Sequence, residues 1–429
     1  MKLYKFLHII IGCLFIYMLP SYANDTLIVK KNIQHQLLDN NVITIPSGFK
    51  ATVFADSLGS ARHLAVNANG DVYVKLARPK NGHGIVRLKD TNGDGVADTR
   101  SGFSTYGGTG ITIKNGYLYA SSNKNIYRYK LSPTGTVTDT TGELIVSGLW
   151  DKGAHNSKSI AVDNVGNIYT NIGAPSNVCQ VAGPGQPVVG QDPCPLLDSS
   201  GGIWQFKADQ LNQTYGQGKR YATGIRNVVG LDWNNSVNEL FVMQHGRDAL
   251  HTNYPALYTD QQSAELPSEE MLMVRNGGNY GWPYCYYDKD QKKKILAPEY
   301  GGDSKKQGRC EMVDTPVAAF PGHWAPDGLL FYTGNMFPEK YKNGAFIAFH
   351  GSWNRAPLKQ GGYFVAFLPL KDGKPSGDYE VFAENFAGKD IFNPGDAYHR
   401  PCGLAQGPDG SLYISDDVKG TVWKLVYGK

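Results

Sequence analysis

Charge is scarce and nearly balanced in this 429-residue chain: 42 Lys and Arg face 38 Asp and Glu, and Lys2 and Lys5 supply two units of the formal +4. Such a balance leaves no basic footprint for nucleic acid. Long apolar runs are scarce as well. The run Phe6–Leu19 is too short to span a bilayer. With Lys2 and Lys5 ahead of it and Ser21-Tyr22-Ala23 behind, it reads as an export signal ending at residue 23. Ile10-Ile11-Gly12-Cys13 resembles a lipoprotein box only faintly, because the apolar stretch continues past Cys13. Cysteines number six. Cys179/Cys194 and Cys285/Cys310 each bracket a loop-like insertion and would bridge in an oxidising compartment. Cys402 is left over and reads as a small buried apolar residue. No linker interrupts the rest, so residues 24–42 are expected as an extended lead-in and 43–429 as one domain.

Turn residues, by contrast, are abundant, with 51 Gly. One phrase recurs six times: an apolar strand, a turn with Gly or Asn, then a strand ending in apolar-aromatic pairs. The copies are RHLAVNANGDVYV (62–74), GITIKNGYLYA (110–120), SIAVDNVGNIYT (159–170), VGLDWNNSVNELFVM (229–243), GLLFYTGNMFPEKYKNGAFIAF (328–349) and CGLAQGPDGSLYIS (402–415). Period-two alternation around a turn is a hairpin, and apolar residues at i, i+3 and i+4 are missing. Six such hairpins predict an all-β, six-bladed β-propeller with four-stranded blades. The apolar anchors Leu64, Ile111, Ile160, Leu231, Leu329 and Leu404 are at first spaced like bare blades of roughly 40–50 residues. Later spacings are longer and predict insertions, including 174–202 and 249–320. Too little chain follows Leu404 for a full blade. ITIPSGFKATVFA (43–55) therefore reads as its missing outer strand, which closes the ring and removes exposed edges.

In a blade, the start of the innermost strand and the end of the next lie at the same mouth of the central channel. Arg62, His155, Arg226-Asn227 and Arg400 precede first strands. Lys75 to Arg78, Gln244 to Arg247, His350 to Arg355 and Asp416-Asp417 follow second strands. Any one of them alone is an ordinary solvated loop charge. Arg in one phase of three repeats points to a shared site, and guanidinium forks with imidazoles and Trp353 suit a planar polyanion better than a neutral sugar alone. The Lys292–Lys294 run reads as a solvated loop face.

GIRNVVGL (224–231), VRNGGNYGWP (274–283), FHGSWNR (349–355) and RPCGLAQGPDGSLYISDD (400–417) resemble segments of the soluble pyrroloquinoline-quinone (PQQ) dependent sugar dehydrogenases, closest to the L-sorbosone and pyranose branch. The resemblance implies a six-bladed fold, PQQ and calcium. It implies His155 as general base, with Arg226 and Asn227 on the quinone and Arg400 on a cofactor carboxylate. It also implies Gly246 and Arg247 as backbone calcium ligands, and Arg62, His350, Trp353, Asn354 and Arg355 facing the cofactor. Two positions depart from the glucose enzymes. Ala154 stands where they carry Asp, and their cofactor Lys is missing from 345–356, leaving His350 and Arg355 to replace its charge.

The implied reaction is oxidation of an aldose or ketoaldose to a lactone or acid, outside the cytoplasm (periplasmic or secreted). An imidazole of ordinary pKa, about 6.5, suits the base. No Cys-x-x-Cys-His occurs, so electrons leave to an external acceptor, a quinone or cytochrome. A calcium-dependent six-bladed lactonase would need a ring of Glu, Asp and Asn, for which Asp416 and Asp417 are the candidates; a cofactor-free binding propeller would scatter the mouth ring. DTNGDGVAD sets Asp90, Asn92, Asp94 and Asp98 around Gly95 like the start of a calcium loop, with Ser101 where an EF-hand has Glu. A structural calcium is expected there, away from the mouth.

Overall fold

A computed structural model describes residues 43–181 and 187–428. The expected export signal (1–23) and lead-in (24–42) lie outside the described residues. Each repeat folds as the hairpin its alternation predicts. Ala61–Val66 pairs with Val72–Lys80, Ile111–Lys114 with Tyr117–Ser121, and Ile160–Val162 with Asn167–Ile172. Val228–Asn234 pairs with Glu239–Gln244, Pro326–Phe331 with Ala345–Phe349, and Pro401–Gln406 with Leu412–Asp416. In the tightest of these turns Asn115 and Gly116 both take positive φ (49° and 76°), the two-residue geometry that matches the twist of the flanking strands.

Further strands extend each hairpin outward into a sheet of four, and two blades gain a short fifth strand in parallel. The six predicted anchors all line one central cavity of about 270 Å3, so the repeat is the inner wall of the propeller. Sheets stacked around that axis bury both faces. Aromatic side chains fill the gaps: Phe103 meets Tyr129 edge-on at 5.1 Å, Tyr169 stacks on Trp233 at 5.4 Å, and Phe241 meets Phe331 at 5.0 Å. Ring closure follows the expectation. Phe49–Ala55 is the outer strand of the last blade, antiparallel to Val422–Tyr427, with Phe49 opposite Tyr427 and Val53 opposite Trp423. That pairing leaves no open edge between the two strands.

Both expected disulfides, Cys179–Cys194 and Cys285–Cys310, tie the insertions, and Cys402 is a buried free thiol. The lysine run departs from expectation. Lys294 is buried on the short strand Lys293–Leu296, ion-paired with buried Glu270 at 2.6 Å. Alternation on that strand turns its side chain inward; composition alone cannot show which of three consecutive lysines does so. Among the described residues no helix is long and apolar enough to cross a membrane.

Candidate functional site

Four inner strands begin with an irregular pairing. One extra residue is accommodated between Ala61 and Leu64, between Val228 and Leu231, between Pro326 and Gly328, and between Pro401 and Leu404. Such bulges re-aim side chains at the end of a sheet. Here they turn Arg62 and Asp327 to the axis and leave Arg226-Asn227 and Arg400 just ahead of their strands.

Arg62 is the centre of the axial group. Its Nη1 donates to Asp417 Oδ2 at 2.9 Å and its Nη2 lies 3.0 Å from Asp327 Oδ2. His350 Nε2 meets Asp417 Oδ1 at 2.9 Å, and His245 Nε2 lies 3.4 Å from Asp327 Oδ1. His63 Nε2 contacts the Asp327 carbonyl at 2.8 Å, and burial pushes its pKa down to about 4. Arg400 is built differently. Its Nε donates to the His350 carbonyl at 3.1 Å and its Nη2 to the Gly351 carbonyl at 2.5 Å, with Tyr363 beneath it at 5.5 Å. Among the described residues no carboxylate pairs with this guanidinium. Three of its five N–H donors remain uncommitted. Asp416, its neighbour in the fold, accepts the Arg400 main-chain N–H at 2.8 Å and contacts His399, so it shapes the turn.

A second group surrounds Arg226, which is buried. Its Nη1 donates to the Gly246 carbonyl at 2.8 Å, its Nε to the Asn177 carbonyl at 3.3 Å, and its Nη2 to Asn177 Oδ1 at 3.0 Å and Asp248 Oδ2 at 2.6 Å. Asp248 also accepts from Asn354 Nδ2 and lies 3.5 Å from His323 Nδ1. Burial would raise the Asp248 pKa, but Arg226 and then His323 hold it well below the usual carboxylate range; reciprocally, Asp248 raises His323 against the effect of burial.

His155 hangs on the adjoining loop. Its Nδ1 contacts the Ala174 carbonyl at 2.5 Å, which makes Nδ1 the protonated nitrogen and leaves the Nε2 lone pair free. Burial, then the nearby Arg226 charge, lowers its pKa to about 4. The ordinary value expected from sequence is therefore corrected, because the imidazole is partly desolvated beside a guanidinium.

Arg62, His155, Arg226, Asn227, Gly246, His350, Asn354 and Arg400 thus share one mouth. Trp353 stands beside them, 63% exposed. One expected member does not join: Arg355 is bound to Glu265 at 2.6 Å and to the Gly322 carbonyl, against the 249–320 insertion. The Arg247 side chain is bound to Glu299 at 2.7 Å, whereas the expectation for this residue concerns its main-chain carbonyl alone. Lys75 is buried inside its blade and donates to the Tyr106 carbonyl at 2.6 Å. The mouth is therefore not a bare cationic ring. Asp248, Asp327 and Asp417 balance most of it.

Asp327 had a legible signal, since it stands two residues before the anchor Leu329, as Arg62 stands two before Leu64. Asn177 and Asp248 carried none, because loop closure alone brings them to Arg226. At the Asp90–Asp98 loop the carboxylates serve their own turn: Asp90 accepts from the Gly93 and Gly95 amides, and Asp98 from Thr91. Among the described residues no group of three or more His, Cys, Asp or Glu side chains is arranged to hold a metal ion.

The mouth has unmet polar capacity of its own. Among the described residues, buried Asn227 Oδ1 and Asn354 Oδ1 lack hydrogen-bond partners, beside the uncommitted N–H groups of Arg400. A flat ligand whose carboxylates meet the Arg400 N–H groups, and which brings an N–H or O–H donor to the amide oxygens, fits such a set; donors and acceptors left open in a buried site are otherwise costly.

Residues 43–428 match the family model described as TrAA12-like. An uncharacterized protein of Borreliella burgdorferi is 31% identical over 210 residues, covering 48% of each chain. A PQQ-dependent pyranose dehydrogenase of Coprinopsis cinerea is 24% identical over 430 residues, covering 89% of this chain and 54% of the other. The chain thus spans about half the length of these two relatives. The holo PQQ domain of a Coprinopsis cinerea pyranose dehydrogenase superposes with a TM-score of 0.71 at 19% identity, over 90% of this chain and 97% of that one, a likeness of fold.

Proposed function

Because the chain belongs to the TrAA12-like family, among the soluble PQQ-dependent sugar dehydrogenases, we propose that it is an exported quinoprotein oxidising the anomeric carbon of an aldose or the hydrated aldehyde of a ketoaldose. The observation that carries the reading is the pairing of a neutral imidazole with a carboxylate-free guanidinium on one rim: His155 with Nε2 open, and Arg400 with three N–H groups open. When bound, PQQ supplies the two-electron acceptor and a calcium ion supplies Lewis acidity beside it.

Arg400 is the residue to hold a cofactor carboxylate, with Arg62 and His350 on the same side. Arg226 keeps one Nη1 N–H beyond its four protein contacts, and Asn227 adds its side-chain amide, so both can stabilise negative charge developing above them. Asn354 and Trp353 complete the wall. The Gly246 and Arg247 carbonyls are the calcium ligands in this reading; Gly246 already accepts from Arg226 but keeps a second lone pair. His155 Nε2 takes the proton of the substrate hydroxyl. Its depressed pKa then favours prompt release of that proton to water. The electrons pass on to an external quinone or cytochrome.

A lactonase gains no support, since Asp327 and Asp417 are ion-paired with Arg62 and so are poor cation ligands. The test loads the cofactor-free chain with PQQ and Ca2+, adds aldoses and sorbosone, and follows bleaching of an artificial acceptor. Sugar-dependent bleaching is expected. Failure to bind PQQ, or lactone hydrolysis without acceptor, overturns the proposal.

A further inference from the structure

The buried Lys294–Glu270 pair lies outside the mouth, and pairs of this kind rarely justify themselves through stability, because desolvating two charges offsets most of their attraction. Its connections suggest another role. Lys294 sits opposite Tyr287 on a two-stranded hairpin whose base, Cys285, is bridged to Cys310. Lys294 Nζ lies 2.6 Å from Glu270 Oε2 and donates to the Tyr280 carbonyl at 2.8 Å. The other carboxylate oxygen, Glu270 Oε1, accepts from Gln244 Nε2 at 2.9 Å. Gln244 Oε1 then accepts the main-chain N–H of Arg226 at 2.9 Å. All four side chains are buried.

Resting on the reading of Arg226 above, we infer that Lys294 and Glu270 are positioning residues for Arg226, acting through Gln244. An amide can satisfy an N–H on one side and a carboxylate on the other in one orientation only, oxygen to the donor and nitrogen to the acceptor. Glu270 therefore dictates which end of Gln244 faces Arg226, and Lys294 holds the Glu270 carboxylate in place. Three contacts join the disulfide-tied hairpin to the mouth, so this insertion holds a site residue in register as well as walling the site.

Two double variants separate positioning from mere support. E270L/K294M replaces the ion pair by apolar groups and removes the acceptor for Gln244; such swaps commonly preserve stability. E270Q/K294M removes the charges but keeps an acceptor oxygen. PQQ affinity of the cofactor-free proteins is read by quenching of tryptophan fluorescence, alongside thermal melting. E270L/K294M is expected to melt near the wild type and bind PQQ about tenfold more weakly, the loss of one well-aligned hydrogen bond. E270Q/K294M is expected within about twofold of wild type. Gln244→Met breaks the relay with the ion pair intact, covers the case in which E270L/K294M does not fold, and should show the same loss. Unchanged affinity in Gln244→Met, or equal losses in both double variants, overturns the inference. Should wild type itself bind no PQQ, the proposed function falls instead. The inference then stands or falls on whether the Arg226 Nε–H resonance moves in Gln244→Met.

Discussion

His155→Ala tests the chemistry most directly. Among the described residues the imidazole makes one ring hydrogen bond, Nδ1 to the Ala174 carbonyl, and stands on a loop whose neighbours Gly153 and Ala154 are exposed. Deleting it removes one hydrogen bond, a cost of about 0.5–1.5 kcal/mol in stability, and it leaves the Arg226, Arg400 and Arg62 contacts untouched. General-base catalysis is worth about 10²–10⁴-fold. With the ring held neutral to about pH 4 by burial and Arg226, it is fully in base form at neutral pH, so the whole of that factor should vanish. The expectation is a kcat reduced by about 10²–10⁴ with PQQ affinity unchanged. Reconstituted variant and wild type are compared by dye-linked turnover at saturating sugar, with PQQ binding measured separately. In the wild type, kcat/KM should stay level near neutrality and fall only as pH drops toward about 4. A kcat within threefold of wild type would refute the assignment, as would parallel loss of PQQ binding.

Three other outcomes follow from the same geometry. Gly173→Ala should impair turnover although it changes no charged or polar group: a Cβ there would fall 2.5 Å from His155 Cβ and 3.3 Å from Asn227 Oδ1, displacing both, which kcat of the reconstituted variant reads. Arg400→Met should weaken PQQ binding about 10–100-fold, the scale of a charged hydrogen bond, whereas Arg355→Met should lower the melting temperature and leave PQQ affinity within about twofold, because Glu265 already holds that guanidinium. Titration of the fluorescence signal compares the two. Acid should destabilise the chain early. His63 and His155 have folded pKa values near 4 against about 6.5 unfolded, so between those pH values the unfolded state binds more protons and stability falls as pH falls. Urea midpoints from pH 7 to 4 measure this, and His63→Gln should flatten the slope.

The repeated hairpin phrase was enough to determine blade number, the inner wall and the closing strand, because period-two alternation and turn residues are local properties that survive any arrangement of the blades. Leu64 and Leu404 lie far apart in sequence and yet line one cavity, as their common phase requires. That phase also brought His155, Arg226 and Arg400 to one rim. Charge balance was a different matter. Asp248 reaches Arg226, Glu265 reaches Arg355 and Glu270 reaches Lys294 only because long insertions fold back onto the mouth, and no periodicity governs an insertion. The pKa of His155 belongs to the same class: it depends on desolvation and on a guanidinium from another blade, which exist only once the chain is folded.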